Sequence, residues 1–423
     1  MRLLSLSALR PGEGRALAWS FAYFFCLLAG YYVLRPLRDE MGVAGGVRNL
    51  QWLFTATFLV MLAAVPLYGA LVARLPRRRF VPLVYHFFVA NLGIFWLLLA
   101  LDVERVLVAR VFFVWISVFN LFVVSVFWSF MADLFSSEQG KRLFPYIAAG
   151  GTAGALAGPS VTIALAGPLG PVNLLIVAAL FLEIAVLCVR RLERAAAPAA
   201  DAPAAAAPPA PEIGGGWLDG IRLLARSPYL AGIALWVTLL SVAGTFLYFQ
   251  QATIVAAASD DPAVRTRLFA VIDLAVGLLT VLVQFFATGR LIQRFGLGAA
   301  AGFLPLVFAG GFAALAAAPV LAVVVAFQAV QRTANFAVSN PAREVLFTAV
   351  TREEKYKAKN VIDIVVFRGA DAGAGWLFEA LRSLGLELRG LSLLTIPLAV
   401  AWLLLALALG RAHERRSANP GPR

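Results

Sequence analysis

The sequence predicts an all-α integral membrane protein of about twelve helices, arranged as two matching sets of six. Three observations carry that prediction. The 423 residues are 61% hydrophobic and only 14% charged, whereas soluble domains sit near 45–50% apolar and about 25% charged. Apolar runs long enough to cross a bilayer, about 20 residues each, recur from end to end. A single Ala/Pro-rich stretch divides them into equal sets.

The first set of runs falls at 16–38, 50–73, 80–101, 105–131, 145–166 and 168–190. The second falls at 229–251, 265–289, 297–318, 319–341, 360–385 and 388–411. Between them lies RRLERAAAPAADAPAAAAPPAPEIGGGW, a flexible linker by composition. Residues 1–190 therefore read as one six-helix bundle, 191–217 as a linker, and 218–423 as a second bundle. The first run is long and ends at no small-residue cleavage site, so it reads as a membrane helix rather than a signal peptide.

Basic residues decide the orientation. Arg77, Arg78, Arg79, Lys141, Arg142, Arg190, Arg191, Arg194, Arg290, Arg294, Lys355, Lys357, Lys359, Arg415 and Arg416 all fall on one side. The opposite connections are shorter and of mixed sign, as at Asp102, Glu104 and Arg105. Positive loops face the cytoplasm, which places both termini and the linker there and points to a bacterial inner membrane. The net charge of +13 is explained by these loops and by contact with anionic lipid, so nucleic acid is not an expected partner. Cys26 and Cys188 both lie in apolar runs and read as buried small hydrophobes.

The two halves echo each other. YGALVARLPRRRFVPL in the first half corresponds to ATGRLIQRFGLGAA in the second. DLFSSEQGKRLFPYIAAGGTAGALAG corresponds to EVLFTAVTREEKYKAKNVIDIVVFRGADAGAG. Two six-helix halves related in this way are the plan of major-facilitator-type transporters, whose solute site lies near mid-membrane between the halves. No GxxxxGK[ST] loop is present to drive movement with ATP. No HExxH, GxSxG or metal-spaced cysteine or histidine cluster is present either. An enzyme, a metal site and a cofactor are accordingly not expected.

The charges inside the apolar runs are the candidate site. Charged side chains at mid-bilayer are costly and face the interior or water. In the tenth run, Gln328, Arg332, Asn335, Ser339 and Arg343 recur at i, i+4, i+7, i+11 and i+15. On a regular α-helix that is a polar stripe about 80° wide. In the eleventh run, NVIDIVVFRGADAGAGW, Asp363, Arg368 and Asp371 span an arc of about 140°. Gly369 and Gly373 oppose them as a GxxxG packing face. Gly150, Gly154 and Gly158 repeat that device in the fifth run.

In the first run, YYVLRPLRDEMG places Tyr31, Arg35 and Arg38 on one face, with Asp39 one turn after Arg35. Pro36 is expected to kink or end that helix. Arginine binds phosphate or carboxylate through a planar fork, so Arg35, Arg38, Arg332 and Arg368 are candidate anion contacts, with Gln328 and Asn335 orienting the solute. Asp39, Asp133, Glu344, Lys359, Asp363 and Asp371 are candidate gate or ion-pair residues, including the pairing of Arg368 with Asp371 at i, i+3. Asp273 and Glu183 are the candidate proton carriers, and His86 reads as structural. Trp128 and Tyr248 are either base-stacking platforms or packing.

Three segments carry a resemblance: YYVLRPLRDEMG (31–42), FWSFMADLFSSEQGKRLFP (127–145) and NPAREVLFTAVTREEKYKAKNVIDIVVFRGADAGAGW (340–376). In these the chain resembles the bacterial and plastid nucleotide transporters, the ATP/ADP translocases. The resemblance implies a major-facilitator-type fold, a central basic cavity, and exchange or proton-linked import of nucleotides. It places Arg38 and Asp39 on the family's first-helix motif. Lys359, Asp363 and Arg368 fall on its basic-turn-to-helix segment. The expectation from the sequence is a monomeric secondary transporter that moves a small anionic solute, such as ATP or ADP, by alternating access. A proton-coupled carrier of another solute, and a non-transporting scaffold or sensor, remain alternatives.

Overall fold

The computed structural model describes residues 10, 13–74, 77–196, 217–286, 288–351, 354, 357–359 and 361–418. The expected linker falls largely on residues 197–216, outside the described residues. All regular structure among the described residues is helical. The protein is an all-α integral membrane protein, with eleven helices among the described residues long and apolar enough to cross a bilayer.

In the first half of the sequence these are α1 (Glu13–Ala44), α2 (Leu50–Arg74), α3 (Arg77–Ala100), α4 (Arg105–Leu134), α5 (Ser137–Leu165) and α6 (Leu174–Ala196). A ten-residue amphipathic helix, α7 (Trp217–Arg226), precedes α8 (Pro228–Ala258), α9 (Pro262–Phe286) and α10 (Thr288–Ala317). Then come α11 (Leu321–Ala334), a π-helical turn Asn335–Ser339, and α12 (Asn340–Leu346). The segment expected at 360–385 is a second π-helical turn, Val361–Val366, running into α13 (Phe367–Ser383). It is not among the eleven apolar spans, and it carries Asp363, Arg368, Asp371, Glu379 and Arg382. The last helix is α14 (Leu388–Ala418).

The helices gather into two compact units. Unit one comprises Met1–Ala44, Ala63–Ala210 and Asp261–Leu274; unit two comprises Gly45–Leu62, Pro211–Asp260 and Ala275–Arg423. Each of α2 and α9 thus contributes one part to each unit.

In unit one, α1 is the central helix and packs along α5, α6 and α4. Glycines set how closely α5 approaches. A Cβ on Gly154 would sit 2.3 Å from the Phe25 carbonyl oxygen, and one on Gly158 would sit 2.7 Å from that of Ala29. Only a residue without a side chain permits this contact, as the spacing of Gly150, Gly154 and Gly158 predicts. The start of α5 is pinned by its own sequence. Ser136 and Gln139 form a reciprocal capping box, which satisfies otherwise orphaned backbone donors. Arg142, one turn on, donates to both Glu13 carboxylate oxygens at 3.1 and 2.8 Å and fastens α5 to the start of α1.

Three local expectations need correction. Pro36 does not end α1, which continues to Ala44. Gly369 and Gly373 make no close helix contact: the nearest atom to a Cβ on Gly369 is 3.6 Å away on Phe58, and Gly373 has open space. Gly375 is the tight position on α13: a Cβ there would sit 3.1 Å from the Phe249 ring and 3.2 Å from Gln51 Cα. Finally, the tenth run is not one regular α-helix, because the π turn at Asn335–Ser339 interrupts it. A π turn holds more residues than an α turn, so side chains after it are rotated relative to a regular 100° count.

Unit two has a comparable anchor. α10 packs along α14, where Gly298 and Gly410 face each other. Its core is aromatic, with Trp236 of α8, Trp402 of α14, and Phe308 and Phe312 of α10 all fully buried. Tyr229, near the start of α8, donates to the Leu346 carbonyl at 2.8 Å and ties α8 to the end of α12. Cys26 and Cys188 are free and buried, as their apolar setting predicts.

Candidate functional site

The charged residues inside the apolar helices are mostly paired, and the pairs fall into one cluster in each unit. In unit one the cluster joins α1 and α9. Arg35 Nη1 lies 3.7 Å from Asp273 Oδ1, with the aspartate side chain only 2% exposed. The Arg35 guanidinium also lies 5.8 Å from the Tyr32 ring centroid. Arg38 is 3.3 Å from Asp39 and lies over the Phe113 ring at 4.1 Å. Five residues beyond Arg35, Glu40 accepts Nε and Nη2 of Arg265, each at 2.7 Å. This bidentate pair is buried, and the fork geometry suits a carboxylate.

The sequence alone did not single out Glu40 or Arg265. The signal was present in hindsight: α1 carries a cation at 35 and an anion at 40, while α9 carries a cation at 265 and an anion at 273. Antiparallel helices with those signs can satisfy both rungs at once.

In unit two the polar groups come from α8, α11, α12 and α13. Gln328 is buried and accepts from Gln331 Nε2 at 2.8 Å. Arg332 and Asn335 follow on the same helix, half-buried at the start of the π turn. Asn335 Oδ1 and Ser339 Oγ are buried with no hydrogen-bond partner among the described residues. Buried polar atoms are ordinarily satisfied, so this short stretch holds bonding capacity that the unit itself does not use.

Past the π turn, Arg343 lies 3.2 Å from Asp363. Lys359 grips Glu344 at 2.7 and 2.6 Å. On α13, Arg368 lies 3.5 Å from Asp371, the i, i+3 pairing open from the sequence. Asp371 is further held by α8: the Ser241 hydroxyl bonds Oδ1, and Thr245 donates to the same oxygen at 3.2 Å. Ser241 and Thr245 carry no charge and no motif, which is why sequence reasoning passed over them.

The remaining expected residues lie apart from these clusters. Glu183 sits on the exposed face of α6, 3.7 Å from His86 of α3, each side chain 44% exposed. Asp133 is exposed near the end of α4. Trp128 rests within the unit-one aromatic core against Phe24, Phe127 and Phe144. Tyr248 lies against Phe54.

No family model matches the chain, and no curated protein matches it in sequence. Solved structures do match. The nucleoside transporter NupG is 14% identical, with 96% of this chain and 100% of that chain covered and a TM-score of 0.61. An auto-inhibited POT-family peptide transporter is 15% identical over 97% of this chain and 99% of that one, with a TM-score of 0.64. A bacterial homolog of the human lysosomal transporter Spinster, inward-facing and unoccupied, is 12% identical over 98% and 100%, with a TM-score of 0.57. At these identities the likeness is one of fold. The chain has the fold of major-facilitator-type membrane transporters, and its structural neighbours are transporters rather than enzymes.

Proposed function

We propose that this chain is a secondary transporter that moves a small anionic solute across a bacterial inner membrane by alternating access. The observation that carries the reading is the polar stretch of α11 and its π turn. Arg332 lies within a helix long and apolar enough to cross a bilayer, near Asn335 and Ser339, whose buried oxygens have no partner among the described residues. A cation and spare hydrogen-bonding atoms at that depth are expensive to keep in a membrane helix, and a polar passenger repays the cost. Fold supports the reading: solved structures similar over nearly the whole chain transport nucleosides and peptides by their names. The motif resemblance adds nucleotides and other phosphorylated metabolites to the solutes worth testing.

In this reading Arg332 and Arg368 contact the anionic group, and Gln328 and Asn335 orient the solute. Arg35 and Arg38, in unit one, are the further anion contacts in this reading. Asp39, Asp363, Asp371 and the Lys359–Glu344 pair trade partners as the protein changes state. The test is uptake into proteoliposomes, with labelled solutes, under an outward solute gradient or a proton gradient. Accumulation that depends on Arg332 and Arg368 supports the reading; a protein that moves no anionic solute under either gradient contradicts it.

One observation favours a proton-coupled version. Asp273, expected as a proton carrier, lies beside Arg35 rather than alone. The Arg35–Asp273 contact would then link solute binding at Arg35 to the acid expected to carry the proton. Uptake driven by a proton gradient, and lost in Asp273→Asn, distinguishes this version from exchange.

A further inference from the structure

One polar pair lies outside both clusters, on a surface that is otherwise apolar. His86 of α3 and Glu183 of α6 are neighbours on the outer face of unit one, and both side chains are exposed. The exposed residues around them are Leu83 and Phe87 on α3, and Leu180, Ile184 and Leu187 on α6. Both helices are membrane spans, so this apolar surface faces lipid. The pair does not sit at its edge. His86 lies six residues into the span that begins at Phe80, and Glu183 lies seven residues before Arg190, the first of the basic residues that close α6. Each is about 10 Å along its helix from that boundary. Ionisable side chains at such depth are costly and ordinarily face the protein interior.

The geometry leaves bonding capacity unused. His86 Nδ1 lies 2.6 Å from the Pro82 carbonyl oxygen. A carbonyl only accepts, so Nδ1 carries the proton and Nε2 is the atom turned to Glu183. Nε2 and Glu183 Oε2 stand 3.7 Å apart, beyond the range of about 2.7–3.2 Å for a hydrogen bond. The same stripe of α3 is smooth. Ala90, Gly93 and Leu97 follow His86 at i+4, i+7 and i+11, one face of an α-helix, and all three are exposed. A Cβ on Gly93 would meet nothing within 4 Å. Packing inside the unit therefore gives no reason for glycine there, and glycine weakens a helix relative to alanine. Small residues that admit a neighbouring backbone, and polar side chains that bond across helices, are what bring membrane helices together, because lipid supplies no hydrophobic drive. Both lie on this one exposed face.

We infer that the α3–α6 face is the contact surface of a homodimer, covered by a second copy of this chain related by a two-fold axis along the membrane normal. Charge complementarity argues for a second copy. In a two-fold interface, residue i of one copy meets residue j of the other, and j meets i. The face carries a histidine and a glutamate side by side on adjacent helices, and rotation about the normal keeps their depth. It sets His86 of each copy against Glu183 of the other, and two hydrogen bonds form where each copy alone makes none. The Ala90–Gly93 track of one α3 then receives α6 of the other copy. This dimer replaces the monomer expected from the sequence.

The test is the oligomeric state of the full chain in bilayers. Single-molecule photobleaching in liposomes, over a range of protein-to-lipid ratios, reads the dimer fraction, and the wild type is expected to dimerise. Gly93→Leu, which blocks close approach, and His86→Leu/Glu183→Leu, which removes the polar pair, are each expected to weaken dimerisation about tenfold. Both change only exposed positions, and melting curves confirm that the variants fold. Crosslinking identifies the face. A Gly93→Cys chain and a differently tagged Ile176→Cys chain, co-expressed, are expected to be joined by a short bis-maleimide. Leu404→Cys, exposed on α14, is not expected to replace Ile176→Cys. A chain that stays monomeric at every ratio overturns the inference. So does a dimer that both variants leave unchanged, or crosslinking as strong to Leu404→Cys as to Ile176→Cys. A monomer that binds phosphatidylethanolamine over phosphatidylcholine, and loses that preference in His86→Leu/Glu183→Leu, also overturns it in favour of a lipid headgroup. None of these readouts depends on the solute, so the transport reading stands or falls separately.

Discussion

Glu40 and Arg265 are the clearest case of what one residue contributes. Both are buried, and two bonds of 2.7 Å join them. Removing one partner of such a pair leaves an uncompensated charge and costs about 3–5 kcal/mol, while replacing both by apolar residues of similar volume is close to neutral. Arg265→Met is therefore expected to lower the melting temperature in detergent sharply, and Glu40→Leu/Arg265→Met to recover most of the loss. A single variant as stable as the wild type would show that the pair does not hold α1 to α9. Glu40 escaped the sequence reading because Asp39 beside it, one turn after Arg35, was the acid singled out there. Its own partner lies 225 positions away, and spacing within one helix carries no information about that.

Helix-level features were legible where they depend on local composition. The apolar runs located the helices, and the small residues of α5 located its close-packing face, which the structure sets against α1. That contact gives a paired prediction. Gly154→Ala places a methyl against the Phe25 carbonyl, and overpacking of this kind costs about 1–3 kcal/mol. Gly373→Ala meets open space on a helix and is expected to be neutral or to stabilise by about 0.5–1 kcal/mol, as alanine favours helix over glycine. Melting curves of the two variants check both signs. The GxxxG spacing at Gly369 and Gly373 misled because spacing shows which face is smooth, not which neighbour comes near it. The two π turns were hidden for a related reason. A stripe counted at 100° per residue assumes a regular helix, and the extra residue in Asn335–Ser339 shows only in the backbone.

For the whole molecule, the fold class followed from hydropathy and the repeated halves, because a bilayer allows few ways to satisfy a backbone. The orientation inferred from basic loops has a direct check. Cys26 and Cys188 are buried, so they give little background labelling. A cysteine placed at Ser417, exposed near the end of α14, is expected to react with a membrane-impermeant maleimide in inside-out vesicles and not in intact cells. The reverse pattern would invert the topology. The solute site was only half legible. The sequence named the arginines, the aspartates and the Arg368–Asp371 pair, but the pairing of Arg343 with Asp363 and of Arg35 with Asp273, and the α8 hydroxyls that hold Asp371, emerged only in three dimensions. The measurement that bears most directly on the account is uptake of labelled small anionic solutes into proteoliposomes by the wild type, Arg332→Ala, Arg368→Ala and the exposed control Arg411→Ala. The account predicts flux in the wild type and the control, and at least about tenfold less, or about 1.4 kcal/mol, in each of the other two folded variants. Equal flux in all four proteins would contradict it.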